Sequence, residues 1–287
     1  MGLFDGLHPG HRAVIQKAAA AAPGLLPVVF TFTYDHPEES CKQDYARILT
    51  PSIKLSLLDE MGIEGVLCPS FSEIRDLPPE VFFEEILLRQ LSARMLCCGY
   101  DFRFGKNAAG DGALLQELCS QAGIAFAQVP ALQDHGQPIS STRIRKAVRE
   151  GDMAEAERLM GRPYAIDHTV VHGRHMGHDV FGFPTINQLY EPGDLLPRFG
   201  VYESRVHWQG AVYKGVTNVG VKPTVGGDRP SAETYILGYD GDLYGQKPLV
   251  TFRRFLRGEM KFSSFDALKE QIRKDAETVQ NSSEKNF

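Results

Sequence analysis

No two cysteines in this 287-residue chain stand at C-x-x-C spacing, and the total of five is odd. Cys41, Cys68, Cys97, Cys98 and Cys119 all fall in the first half. That pattern supports neither a zinc framework nor a disulfide scaffold and predicts reduced thiols in the cytoplasm. Cys68, Cys97 and Cys98 sit in apolar, strand-like runs, where a thiol packs as a small hydrophobe. Basic excess is missing as well. With 31 Lys and Arg against 36 Asp and Glu, the formal charge is −5, which argues against nucleic acid and acidic membranes as partners. No apolar run is long enough to span a bilayer, no basic-then-apolar leader opens the chain, and no internal repeat or low-complexity tract occurs. The remaining composition, 43% hydrophobic and 23% charged, fits a globular protein of two ordinary domains or one large one.

The first half alternates strand and helix. A helix opens at Pro9, with Val14, Ile15, Ala18 and Ala22 at helical spacing. The β-branched run 27–33 reads as a buried parallel strand. A helix with Ile53, Leu57, Leu58 and Met61 follows, then a strand over 65–68. Next come a helix opened by Pro78 and Pro79, a strand over 95–98, a helix over 114–119 and a strand over 124–129. Strands alternating with helices predict a doubly wound α/β domain with a parallel sheet. Such a domain begins with a strand feeding its first helix, and only Met1 precedes Gly2 here. The expectation is a sheet lacking its first strand, through truncation, a misassigned start or a real gap.

Two short helices follow. Ser140 or Ser141 caps one, and Asp152 with Glu155 at capping-box spacing opens the other. Past Gly161 the pattern changes to short strands with Gly and Pro turns, predicting a β-barrel. Runs 201–208 and 211–219 flank Gln209-Gly210, a hairpin signal. Further strands are expected at 235–237 and 249–255. A closing helix carries Phe265, Leu268 and Ile272, and the tail from Asn281 is expected to be disordered. The predicted domains are 1–160 and 161–287.

Candidate chemistry gathers where the first-half strands end, the usual ligand crevice of an open α/β sheet. His8 and His11 would share one face of a helix's first turn, beside its N–H groups and positive dipole end. Gly10 between them lets a phosphate approach the backbone. An ordinary capped helix with two surface histidines is the plain alternative, at about even odds for an isolated HxGH. His36 follows the strand at 27–33, and Asp101, Phe102 and Arg103 follow the strand at 95–98. Ser140, Ser141, Thr142 and Arg145 open a helix after the strand at 124–129, a second phosphate cradle. Each has a bland reading as cap, turn or solvated charge. Their joint placement at strand ends is much harder to reach by accident.

These residues resemble the bacterial bifunctional riboflavin kinase/FMN adenylyltransferase family, the FAD synthetases, over essentially the whole chain. The likeness rests on Gly2, Phe4, Asp5, Gly6, His8, Gly10 and His11; on His36-Pro37; on Gly99, Asp101, Phe102, Phe104 and Gly105; and on Ile139-Ser140-Ser141-Thr142 with Arg145. It continues through Gly182-Phe183-Pro184-Thr185 with Asn187, Gly200-Val201-Tyr202, Asn218-Val219-Gly220 with Pro223-Thr224, Asp242-Leu243-Tyr244-Gly245, and Leu256-Arg257 with Glu259 and Lys261-Phe262. The resemblance implies adenylyl transfer from ATP to FMN in the first half and phosphorylation of riboflavin in the second. It implies His8 and His11 as donors to the α-phosphate, and ATP contacts from Gly2, Phe4, Asp5, Gly6, Gly10, Ser141, Thr142 and Arg145. Gly173 and Gly177 would give a second ATP loop, and Thr185 and Asn187 would be hard oxygen ligands for Mg²⁺ on ATP. Glu233 stands at the family's catalytic carboxylate, although as an isolated residue it reads as a solvated strand carboxylate. His36, Asp101, Phe102 and, on weaker grounds, Arg257 would contact flavin. Implied partners are riboflavin, FMN and ATP, with a monomer or weak self-association.

Beyond the absent strand, two departures stand out. His178 replaces the arginine usual in the kinase loop, implying a weaker or pH-dependent phosphate contact. Leu3 stands where the family often has a polar residue, and its side chain offers no hydrogen bond. Two other readings compete. A pantetheine-phosphate adenylyltransferase relative would share HxGH but not the second half. A kinase-only enzyme or non-catalytic flavin-binding protein would account for an impaired first domain.

Overall fold

The computed structural model describes residues 1–20, 24–34, 45–172, 185–224 and 227–282. The chain forms two compact units, one of Met1–Arg47 with Lys54–Ser141, the other of Ile48–Ile53 with Thr142–Phe287.

In the first unit, α1 (Pro9–Ala19) buries Val14 and Ile15 and is capped by His8. Then follow β1 (Val28–Phe30), α2 (Pro51–Glu60, of which residues 54–60 belong to this unit), β2 (Gly65–Leu67), α3 (Phe71–Ile74) and α4 (Pro79–Val81), which runs on as a π-helical stretch, Phe82–Gln90. β3 (Met95–Gly99), α5 (Gly112–Gln121), β4 (Ala125–Val129) and a small ribbon of β5 (Gln133–Asp134) with β6 (Gln137–Pro138) complete it. β1 pairs parallel with β2, and β3 parallel with β4, as the strand–helix alternation predicts. Phe30, Phe82, Phe83, Leu87 and Leu96 form the core with Cys98 and Cys119. Burial pushes the thiols of Cys98 and Cys119 up to about 11, so both stay protonated and unreactive. Cys68 departs from its expected place. β2 ends at Leu67, and Cys68 is exposed just beyond it.

The two parallel pairs are separate two-stranded sheets. Between them lies the start of the chain. The Met1 ammonium donates to the Cys97 carbonyl of β3 at 2.7 Å, and the Gly2 N–H donates to the Phe30 carbonyl of β1 at 3.2 Å. Met1 and Gly2 thus bridge β1 and β3. Behind them is a cavity of about 310 Å³ lined by Val14, Val29, Phe30, Leu87, Leu96 and Cys97. Burial lowers the Met1 amine to about 6, against an opposing pull from Cys98 and Cys97.

In the second unit, α6 (Ser141–Glu150) and α7 (Met153–Met160) precede the sheet. Asp152 caps α7 by accepting the Glu155 N–H at 2.9 Å, as its spacing predicts, and Gly161 ends the helix in the left-handed conformation, φ 71°. β7 (Tyr164–Ile166), β8 (Val170–Val171), β9 (Thr185–Leu189), β10 (Gly200–Trp208), β11 (Ala211–Thr224), β12 (Gly227–Ile236) and β13 (Leu249–Arg257) form one sheet. Its order is β7-β13-β10-β11-β12-β9-β8, and every pairing is antiparallel. Gln209 and Gly210 both have positive φ, 49° and 79°, the backbone that a tight two-residue hairpin needs. α8 (Phe265–Gln280) packs Ala276 and Val279 against Val201 and Val216. Phe265 does not share this face and is exposed. Nor is the tail loose from its first residue. Ser282 donates to Glu203 at 2.8 Å, and Lys214 donates to the Gln280 and Ser282 carbonyls. Residues 283–287 lie outside the described residues.

Candidate active sites

The first site is built on a strained turn. Phe4 and Leu7 adopt φ of 50° and 41°, a region that costs a non-glycine residue on the order of 1–3 kcal/mol. Both side chains are fully buried, and that burial offsets the strain. Side-chain donors then fix the backbone. Thr31 Oγ1 donates to the Leu3 carbonyl at 2.9 Å, Lys54 Nζ donates to the same oxygen at 2.8 Å, and Ser141 Oγ donates to the Asp5 carbonyl at 2.7 Å. Asp5 is itself buried.

The turn delivers His8 to the cap of α1. Its Nδ1 accepts the His11 N–H at 3.4 Å, so a neutral His8 ring carries its proton on Nε2. The two imidazoles stack at 3.7 Å with planes 20° apart, and Phe4 meets His11 edge-on at 5.5 Å. Gly10 has a packing reason besides the expected phosphate approach. A Cβ there would sit 3.2 Å from the His8 ring.

The structure therefore brings together Gly2, Phe4, Asp5, Gly6, His8, Gly10, His11 and Ser141. Asp101 and Phe102 follow the carboxyl end of β3, with Asp101 exposed and Phe102 stacked on Phe104 at 5.8 Å. Arg103 pairs with Asp111 at 3.4 Å on the surface. Thr142 and Arg145 stand in the first turns of α6, within the second unit, Thr142 exposed and Arg145 buried. His36, Gly173, Gly177 and His178 lie outside the described residues.

The second site is a row across three strands. Asn218 of β11 is directly opposite Glu233 of β12, which is directly opposite Asn187 of β9. Directly paired residues share a sheet face, so the three side chains emerge together. Thr185, two residues before Asn187, lies on the same face and is exposed. Glu233 is half-buried. Asn187 is buried, and its Oδ1 has no hydrogen-bond partner among the described residues. The other face of the sheet carries a buried hydroxyl chain. Thr217 Oγ1 lies 2.8 Å from both Ser204 Oγ and Thr234 Oγ1. Arg257 is heavily committed within the fold. It bonds both oxygens of buried Asp275, the closest at 2.7 Å, and the Gly258 carbonyl.

Sequence reasoning passed over Lys54 and Thr31. Neither carried a signal, since Lys54 reads as a polar helix position and Thr31 as one more β-branched strand residue.

An α/β unit with a histidine-capped helix at its strand ends, joined to an antiparallel sheet bearing a carboxylate–amide row, defines a two-site enzyme. Comparison with known proteins makes the class specific. Residues 1–143 match the FAD synthetase family model and residues 160–283 match the riboflavin kinase model. The bifunctional riboflavin kinase/FMN adenylyltransferase of Escherichia coli K12 is 36% identical over 284 residues, covering 97% of this chain and 90% of that protein. Its counterpart in Bacillus subtilis is 33% identical, covering 96% and 89%. The chain belongs to the bifunctional riboflavin kinase/FMN adenylyltransferase family. A solved structure described as a macrolide-efflux protein from Streptococcus pneumoniae superposes with a TM-score of 0.84 at 30% identity, covering 99% and 93% of the two chains. Among the described residues of this chain, no helix is long and apolar enough to cross a membrane.

Proposed function

We propose that two domains of the chain divide two ATP-dependent reactions on flavin between them. As a member of its family the chain phosphorylates riboflavin to FMN and adenylylates FMN to FAD. The first domain, residues 1–160, performs the adenylyl transfer, and the second, 161–287, the phosphorylation.

Adenylyl transfer needs no enzyme nucleophile. A phosphate oxygen of FMN attacks the α-phosphorus of ATP, the bond to pyrophosphate breaks, and charge builds on the α-phosphate oxygens. What the protein supplies is alignment and donors. His8, with Nε2 as its donor, and His11 face that charge at the positive end of α1. The Gly2–Gly6 turn and Gly10 hold the nucleotide, while Ser141, Thr142 and Arg145 take the leaving pyrophosphate. Asp101 and Phe102 border the flavin, a role that the family likeness also gives His36.

For phosphorylation the carrying observation is the Asn218–Glu233–Asn187 row. Glu233 accepts the proton of the ribityl 5′-hydroxyl as the hydroxyl oxygen attacks the γ-phosphorus of ATP, the bond to ADP breaks and ADP leaves. An Asn oxygen that is buried without a partner carries a desolvation cost of about 1–3 kcal/mol. A bound cation would relieve it, so the residues present fit Mg²⁺. Asn187 with Thr185 would hold the ion, which when bound neutralises ATP phosphate charge. The family likeness assigns Gly173 and Gly177, which lie outside the described residues, to contacts with those phosphates. Arg257, tied to Asp275, forms a fixed wall toward flavin.

The gap between β1 and β3 is, in this reading, the place of a missing central strand. The test is a single assay. Protein incubated with riboflavin, ATP and Mg²⁺ is expected to yield FMN and then FAD by chromatography. FMN alone would mark a kinase-only enzyme, and bound but unconverted riboflavin a carrier.

A further inference from the structure

We propose that Lys54 is a positioning residue for adenylyl transfer, clamping the Leu3 carbonyl so that the strained turn presents His8 and His11. The proposal rests on the reading of that turn as the adenylyl-transfer site.

The Leu3 carbonyl immediately precedes Phe4, the first left-handed residue of the turn. It receives two donors, Lys54 Nζ at 2.8 Å and Thr31 Oγ1 at 2.9 Å. Lys54 also donates to Thr31 Oγ1 at 2.8 Å, which closes a three-membered ring of hydrogen bonds. A fully buried hydroxyl and a lysine amine thus converge on one backbone oxygen. The arrangement is costly to build. Burial lowers the Lys54 pKa, and the buried carboxylate of Asp5, then the thiol of Cys68, oppose that shift. A solvated lysine would stabilise a helix surface without that penalty. Placed here, its charge-assisted bond is roughly twice as strong as a neutral one, and it holds a backbone that Leu3 cannot hold through its own side chain. Only four residues separate Leu3, whose carbonyl is clamped, from His8. Release of Leu3 lets the turn relax toward ordinary φ values, and a displacement of about 1 Å at a catalytic group costs on the order of 10²-fold in rate.

The experiment measures FAD formation from supplied FMN in three variants of the full chain. Lys54→Met keeps the apolar stem and is expected to lower kcat about 10- to 100-fold, with KM for ATP and FMN changed less than threefold. Thr31→Val, nearly isosteric, is expected to lower kcat in the same sense but less. The double variant should lose less than the product of the two, because both donors serve one oxygen. His8→Ala with His11→Ala serves as reference. If it abolishes FAD formation while Lys54→Met and Thr31→Val do not lower kcat, the clamp is overturned and the site stands. If neither the reference nor the clamp variants affect FAD formation, the site itself is overturned, and the clamp with it. A rise in KM with kcat unchanged would make Lys54 a substrate-binding residue and also overturn the proposal. Should Lys54→Met fail to fold by circular dichroism, Thr31→Val decides alone by its kcat.

Discussion

At the scale of single residues, the two sites separate cleanly. His8→Ala with His11→Ala is expected to abolish FAD formation and leave FMN formation near normal, with a loss of roughly 10²–10³ for each donor removed. Chromatography of both flavin products checks this in one experiment, and unchanged FAD synthesis would remove the histidines from the site. Glu233→Gln is expected to do the reverse. It keeps size and hydrogen bonding but cannot take the hydroxyl proton, so riboflavin phosphorylation should fall roughly 10²–10⁴-fold. FAD formation from supplied FMN should persist. Wild-type phosphorylation in this variant would return Glu233 to the status of an ordinary strand carboxylate. These residues were legible in the sequence for different reasons. His8, Pro9 and Gly10 announce a capped helix and a close approach by chemistry alone. Glu233 was visible only through its family likeness, because a half-buried carboxylate on a strand has no local signature. Lys54 was invisible, because its role depends on a carbonyl 51 residues away.

At the scale of elements, the parallel strand pairs and the Gln209-Gly210 hairpin followed from periodicity and turn chemistry. The inward face of α8 did not. Its hydrophobic spacing pointed to Phe265, whereas the buried positions include Asp275, whose charge Arg257 meets from β13. An ion pair between distant elements leaves no trace in a hydrophobic pattern. The cavity behind Met1 yields a prediction in two parts. The amine's pKa lies near 6 in the folded state against an ordinary 8.0, so between these values the unfolded chain binds more protons than the folded one. Stability of the first unit should therefore rise with pH across that window, by about 3 kcal/mol at most, and it is lowest below pH 6, where both states are charged. A Val/Ile-rich segment added ahead of Met1 would turn this amine into an amide and is expected to pair between β1 and β3. The extended chain should melt higher, lose this pH dependence and form FAD faster. Equal melting temperatures and equal FAD rates with and without the added strand would show that the slot needs no occupant.

At the scale of the whole molecule, α6 and α7 are the decisive elements. Met153, Ala156, Leu159 and Met160 are buried. Glu157 bonds Arg253 of β13 at 2.9 Å, and the Val148 carbonyl accepts the Arg198 N–H. A fragment starting at Gly161 discards all of these contacts, whereas one starting at Thr142 keeps them. Both fragments are expected to phosphorylate riboflavin and to form no FAD, and the longer one should melt at a clearly higher temperature by calorimetry. A soluble, folded longer fragment without kinase activity would contradict the division of labour. Neither fragment contains residues 48–53, although this segment belongs to the second unit. There Thr50 and Ser52 donate to the two carboxylate oxygens of Asp167, each at 2.5 Å. The consequence is one of timing. Ser52 leaves the ribosome 115 residues before Asp167. At ordinary synthesis speeds of about 5–20 residues per second, that is a wait of roughly 6–23 s. For that interval the segment 48–53 waits for a partner that does not yet exist, and the two hydroxyls are secured only after Asp167 has been made.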